Sequence, residues 1–161
     1  KFMLKIDKKA PLDINVLNEK GEKTSLQQML GKYIVLYFYP RDNTPGCTTE
    51  ACSFRDANTQ LQELGVQVIG VSKDSIASHD KFTQKHSLNF PLWSDPDHAL
   101  LEAFGAWKEK KNFGKIYMGI VRSTFIIDPQ GKIIKTWEKV KTKTHTDEVL
   151  EFLEEYLSKN K

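Results

Sequence analysis

The residues with the widest chemistry in this chain are two cysteines, Cys47 and Cys52, the only ones among 161 residues. A cysteine thiolate is both a nucleophile and a redox centre. Secreted scaffolds held by disulfides carry more cysteines, and a chain of this length buries a core that needs no staple. Two thiols five positions apart therefore point to redox chemistry, or to chance, ahead of structural bracing. They stand in the segment Tyr39-Pro-Arg-Asp-Asn-Thr-Pro-Gly-Cys-Thr-Thr-Glu-Ala-Cys52. Pro40 and Pro45 stiffen it and remove backbone donors. Thr44 supplies a hydroxyl three residues before Cys47, and Gly46 lets backbone approach a small ligand closely. The plain alternative is a small residue packing a helix start, which cysteine often does.

The elements that must position these groups follow from periodicity and punctuation. Tyr33–Tyr39 is a continuous apolar, aromatic and β-branched run, the signature of a strand buried on both faces. Pro40–Gly46 is a turn-rich loop. Ala51, Phe54, Ala57, Leu61 and Leu64 have helical spacing, so a helix is predicted over Cys47–Leu64, stopped by Gly65. Cys47 then falls at a helix start, beyond the end of a buried strand. Free backbone N–H groups and the helix dipole favour an anion there. Open α/β sheets place their chemistry at such a point.

Further strands are predicted at Asn15–Leu17, Val66–Val71, Phe90–Trp93, Ser123–Ile127 and Ile133–Trp137, the last two joined by the tight turn Asp128–Gly131. Helices are predicted after Ser25, over Ile76–His86, and over Asp147–Leu157. Another is capped by Asp95, with Pro96 at its first position and Gly105 past its end. This order gives one α/β domain over residues 1–161, with a thioredoxin-like core and a central mixed sheet flanked by helices. No G-x-G-x-x-G or Walker loop follows any strand, which counts against nucleotide binding.

At Cys47 the sequence resembles a known family. Pro40, Thr44 and Cys47 stand as P-x-x-x-T-x-x-C, similar to the active-site motif of peroxiredoxins. The longer string FYPRDNTPGCTTEAC resembles the bacterioferritin-comigratory, or Q-type, subfamily. So do KAPLDINVLNEKG, FPLWSDPDH and GIVRSTFIID, which extend the likeness over nearly the whole chain. One departure is Pro11-Leu-Asp-Ile14, where the family commonly has Pro-Asp-Phe. The resemblance implies a thiol peroxidase. It makes Cys47 the peroxidatic cysteine, Pro40 its shield, Thr44 the peroxide-binding hydroxyl and Arg122 the arginine that completes the site. Glu50 becomes that arginine's partner and Cys52 the resolving cysteine. Gly46 and Cys47 would add backbone N–H groups to the substrate site. Arg122 is also notable as a lone cation at the entrance of an apolar strand, where the plain reading is a solvent-facing strand end. A guanidinium beside a thiolate stabilises the anion.

By this resemblance the substrate is a hydroperoxide, the reductant thioredoxin or a similar dithiol, the state monomeric, and no cofactor is needed. Residues five apart in an ideal helix have Cα atoms about 8–9 Å apart, beyond the roughly 7 Å reach of a disulfide. A Cys47–Cys52 bond therefore requires the first helical turns to unwind. Rival readings are a disulfide carrier, which usually uses C-x-x-C, a metal module and an interaction domain. Two cysteines are few for a metal, and His79, His86, His98 and His145 are scattered without ligand spacing, so they are read as surface or packing residues.

The formal charge of +3 implies no nucleic-acid partner, and the basic stretches Lys108–Lys111 and Lys139–Lys143 are read as solvated surface. No apolar run of about eighteen residues exists, so nothing spans a membrane and no membrane partner is expected. A cytoplasmic location is expected. A start at Lys1 rather than Met leaves an organelle, after removal of a transit peptide, as the alternative.

Overall fold

Six consecutive bulky residues, Tyr33–Phe38, can leave neither face in water, and they form an interior strand of the sheet. The computed structural model describes residues 2–160. In chain order it has two short strands, β1 (Val16–Leu17) and β2 (Lys23–Thr24), and a 3-10 turn over Leu26–Met29. Then come β3 (Tyr33–Phe38), α1 (Pro45–Glu63), β4 (Val66–Ser72), α2 (Ile76–His86), β5 (Leu92–Ser94) and α3 (Ala99–Phe104). A hairpin of β6 (Trp107–Asn112) and β7 (Lys115–Ile120) precedes β8 (Ser123–Ile127), β9 (Ile133–Trp137) and α4 (His145–Lys159).

The seven-stranded sheet runs β2-β1-β5-β4-β3-β8-β9. Strand β3 is parallel to β4 and antiparallel to β8, so the sheet is mixed as expected. Both faces of β3 are buried. Ile34, Leu36 and Phe38 join a core with Phe104 and Phe125 on one side. Val35, Tyr37 and Tyr39 join a core with Phe54, Phe82 and Leu153 on the other. The register Phe38↔Ser123 sets Arg122, one residue before β8, at the end of β3 from which the Pro40–Gly46 loop departs.

Several expectations are corrected. Helix α1 begins at Pro45 rather than Cys47, because proline at the first helical position costs no hydrogen bond. Helix α3 begins at Ala99, with Pro96 outside it. Asp95 still caps it from a distance, its Oδ2 accepting from Leu101 N at 2.8 Å. Ser25 precedes only a 3-10 turn and makes no side-chain cap. Strand β2 and the β6–β7 hairpin escape the sequence reading, since WKEKKN lacks the apolar alternation of a half-buried strand.

Gly70 in β4 is fixed by packing. A Cβ there would lie 2.9 Å from both Leu92 Cδ2 and Tyr37 Cζ. Gly70→Ala is expected to destabilise the protein by about 1–3 kcal/mol, the usual cost of overpacking. Urea unfolding measures it, and an unchanged midpoint would mean that Tyr37 yields freely.

Candidate active site

Helix α1 turns one face to the core, and that face is not wholly apolar. Cys47, Glu50, Ala51, Phe54, Asn58 and Leu61 are buried at helical spacing. The pattern thus brings a thiol and a carboxyl, one turn apart, under the same cover. Arg122 meets both. Its Nη1 donates to Glu50 Oε1 at 2.7 Å, and its Nη2 to Cys47 Sγ at 3.3 Å. Both cysteines are free thiols. Gly46 makes room for this contact: a Cβ there would stand 3.2 Å from Arg122 Nη2. The smallness of Gly46, read from sequence as space for a ligand, serves the guanidinium as well.

Burial pushes the Glu50 carboxyl up to about 7, although Arg122 pulls it down. Arg122 is held above its ordinary value. Burial alone would lower it, but Glu50 and Cys47 more than reverse that. The site is therefore a half-buried cation facing a buried carboxyl and a buried sulfur.

Thr44 is the N-cap residue of α1, yet its side chain does not cap. Its Oγ1 donates to Arg41 O at 2.9 Å. With that proton committed, the hydroxyl has only acceptor capacity left. The first bond into α1 runs from Thr48 N to Thr44 O, so the N–H groups of Gly46 and Cys47 lie ahead of the helical ladder. Pro40 is exposed at the end of β3.

Cys52 lies on the same unbroken helix, half-buried, with Arg55 Nη1 3.6 Å from its sulfur. Cys47, Glu50, Arg122 and Gly46 are thus brought together, with Thr44 beside them at the helix start. Cys52 is held apart from Cys47 by helical geometry.

Sequence reasoning missed three groups. Lys110 on β6 is lowered by burial first and then by Arg122, while Cys47 acts in the opposite direction, so its charge is felt at the site. His145 is buried, its Nε2 2.7 Å from Thr124 Oγ1, and burial with the Arg122 charge pushes it down to about 4. The third is a network around Asp42. The Asp42 carboxylate accepts from Tyr39 Oη at 2.6 Å and Ser78 Oγ at 2.8 Å, and lies 2.7 Å from His79 Nδ1. Asp42 N donates to Asp74 Oδ2 at 2.8 Å. Asp42, Asp74 and His79 lie close enough to be considered for a cation, but their ligand atoms are already engaged with one another and with Ser72, Ser78 and Trp93. In sequence Asp42 is one more turn residue, and nothing sets it apart.

A thiol at the first turn of a helix, beside an arginine at the mouth of a thioredoxin-like sheet, defines a peroxiredoxin-type site. The AhpC/TSA family model matches residues 6–136. The chain belongs to this family, and its relatives are of the Bcp or Q type. Peroxiredoxin Bcp of Bacillus subtilis (strain 168) is 54% identical over 156 residues, covering 97% of this chain and 99% of that one. Peroxiredoxin Bcp of Escherichia coli (strain K12) is 43% identical over 139 residues, covering 86% and 89%. Among solved structures, a cysteine-to-serine mutant of Xylella fastidiosa PrxQ superposes with a TM-score of 0.91 at 36% identity, over 97% of this chain and 99% of that one. The Xanthomonas campestris bacterioferritin comigratory protein, described for its alkyl peroxide reduction activity, gives 0.86 at 42% identity over 91% and 93%. Among the described residues no helix is long and apolar enough to cross a membrane.

The Glu50 carboxyl generates a pH prediction. Its folded value is raised to about 7 from an ordinary 4.5, so the folded state binds this proton more tightly than the unfolded chain. Its contribution to stability is complete below the ordinary value and is lost as pH rises through about 7. Glu50→Gln removes this titration. The stability of the variant relative to wild type is expected to increase between about pH 5 and pH 7.5, as measured by urea unfolding at each pH. His145 titrates in both proteins and drops out of the comparison. A constant difference would mean that Glu50 is ionised throughout that range.

Proposed function

We propose that Cys47 is the thiol that attacks a hydroperoxide and that Cys52 closes the cycle. The observation that carries this reading is the single guanidinium of Arg122, bonded at once to Cys47 Sγ and Glu50 Oε1. Such a cation stabilises a thiolate and is aimed at the charge that develops as an O–O bond breaks.

The Cys47 thiolate attacks the outer oxygen of ROOH in line with the O–O bond. The S–O bond forms, the O–O bond breaks, and RO⁻ leaves and takes a proton to become alcohol or water. Cys47 becomes a sulfenic acid. Thr44 Oγ1, as an acceptor, orients the peroxide hydroxyl. Arg122 and the N–H groups of Gly46 and Cys47 stabilise the departing charge. Pro40 and the loop after it shield the thiol from water. The Cys52 sulfur then attacks the sulfenic sulfur, and hydroxide leaves as water with the proton that Cys52 gives up. Thioredoxin or a similar dithiol restores both thiols by exchange. The substrates are hydrogen peroxide and organic hydroperoxides, the latter supported by similarity to the Xanthomonas campestris protein, described for its alkyl peroxide reduction activity. The monomeric state rests on the likeness to Q-type relatives, one domain over the whole chain rests on the unbroken order of elements, and the setting is cytoplasmic, with an organelle as the alternative. No step calls for a cofactor.

Cys47→Ser is expected to abolish peroxide reduction while leaving the fold intact by circular dichroism. Retained turnover would remove Cys47 from the reaction. Arg122→Ala is expected to slow peroxide attack by about 10²–10³-fold, the scale of losing one transition-state donor. Stopped-flow oxidation measures this, and an unchanged rate would make Arg122 a bystander.

Cys52→Ser is expected to stop at a sulfenic acid that a dimedone reagent traps. In wild type, hydrogen exchange is expected to quicken across Thr48–Ser53 on oxidation and stay slow at Leu61. Equal protection of the first turns in both states would rule out an intramolecular Cys47–Cys52 bond.

A further inference from the structure

The β6–β7 hairpin concentrates three unusual features. The first is charge: Lys108, Lys110, Lys111 and Lys115 against Glu109 give it +3, the same as the whole chain. The second is exposed apolar surface. Of the six large hydrophobic side chains exposed among the described residues, four are on β7 or at the turn: Phe113 (97%), Ile116 (61%), Met118 (50%) and Tyr117 (46%).

The third is the turn itself. Asn112 pairs with Lys115, leaving a two-residue loop. Phe113 (φ 50°) and Gly114 (φ 77°) both lie in the left-handed region. Two-residue loops of this hand favour asparagine followed by glycine, whereas a bulky aromatic is costly at positive φ. Phenylalanine is therefore held where it strains the turn, with its ring almost wholly in water. Neither folding nor solubility explains that placement, and a function at the tip does.

The register sorts the side chains. Ile116 and Met118, two apart on β7, share one face with Lys111 and Glu109 across from them. Phe113 extends this apolar edge past the end of the hairpin, and Lys111 and Lys115 flank it. Protruding apolar side chains ringed by lysines suit a soft interface with negative headgroups. A nucleic acid would leave Ile116 and Met118 in water, and a rigid protein would need a socket shaped to the tip. The base of the hairpin is tied by Val121 N donating to Ala106 O at 2.7 Å, and the next residue is Arg122. Whatever holds the tip therefore also holds the face that carries Cys47.

We propose that the β6–β7 hairpin is a membrane-surface anchor. Phe113, Ile116 and Met118 enter the interfacial layer of an anionic bilayer, and Lys111 and Lys115 face its headgroups. This stands apart from the peroxidase reading and does not depend on it.

The test is flotation of the purified full chain with vesicles of phosphatidylcholine alone and of phosphatidylcholine mixed with phosphatidylglycerol. Wild type is expected to float with the mixed vesicles and to remain behind with the neutral ones. Each lysine near such a surface strengthens binding about five-fold, so Lys111→Glu with Lys115→Glu is expected to weaken it by about 25-fold or more. Phe113→Asn supplies the residue the turn favours, so its thermal midpoint should equal or exceed that of wild type, and its reduction of hydrogen peroxide should be unchanged. Its vesicle binding should fall by about ten-fold or more. No flotation of wild type with anionic vesicles would overturn the proposal, as would equal flotation of Phe113→Asn. Self-association of wild type, abolished in Phe113→Asn with neither protein floating, would make the tip a protein contact and equally overturn it.

Discussion

One guanidinium shared between a buried carboxyl and a buried sulfur sets the terms for the rest of this structure. Arg122 and Cys47 are 75 residues apart in sequence, so their 3.3 Å contact depends on the antiparallel pairing of β3 with β8. It also depends on a missing side chain at Gly46 and on Glu50 one turn beyond Cys47. Each member is costly alone. Glu50 is fully buried, and removing Arg122 would leave its carboxyl without a counter-charge. The raised value of Glu50 shows that Arg122 does not fully offset burial. The pair is thus a poor stabiliser and a good device for placing positive charge beside the Cys47 sulfur.

Much of this was legible in the sequence, for identifiable reasons. Tyr33–Tyr39 announces a central strand because bulky residues on both pleat faces admit no other placement. The loop and helix that follow are marked by proline, glycine and helical spacing; the likeness of P-x-x-x-T-x-x-C to a known motif pointed to Cys47 and Thr44, and that of GIVRSTFIID pointed to Arg122. Other features were not legible because their causes are long-range. Asp42 reads as a turn residue, yet it accepts hydrogen bonds from Tyr39 and Ser78 and contacts His79, groups that adjoin only once α2 packs. His79 and His145 have no special spacing, and tertiary structure alone turns them into buried polar contacts. Strand β6 lacks apolar alternation because the hairpin it forms with β7 is mostly exposed. The run Lys108–Lys111, read as solvated surface, belongs to a hairpin whose turn and apolar edge set it apart.

The anchoring on either side of Cys47 has a kinetic consequence. The loop before the helix is fastened by Asp42 to Tyr39, Asp74, Ser78 and His79. Farther along α1, Ser53 and Thr146 hydroxyls lie 2.6 Å apart, and Phe54 is buried in the core. If oxidation opens the turns between these two posts, their return upon reduction is not the birth of a new helix. Starting a helix carries a statistical penalty on the order of 10⁻³, whereas lengthening one takes about a nanosecond per residue. The opened stretch would zip back from an existing end onto a fixed cap. Recovery is then fast on the scale of any encounter between two proteins, so the rebuilding of the pocket would not pace the cycle.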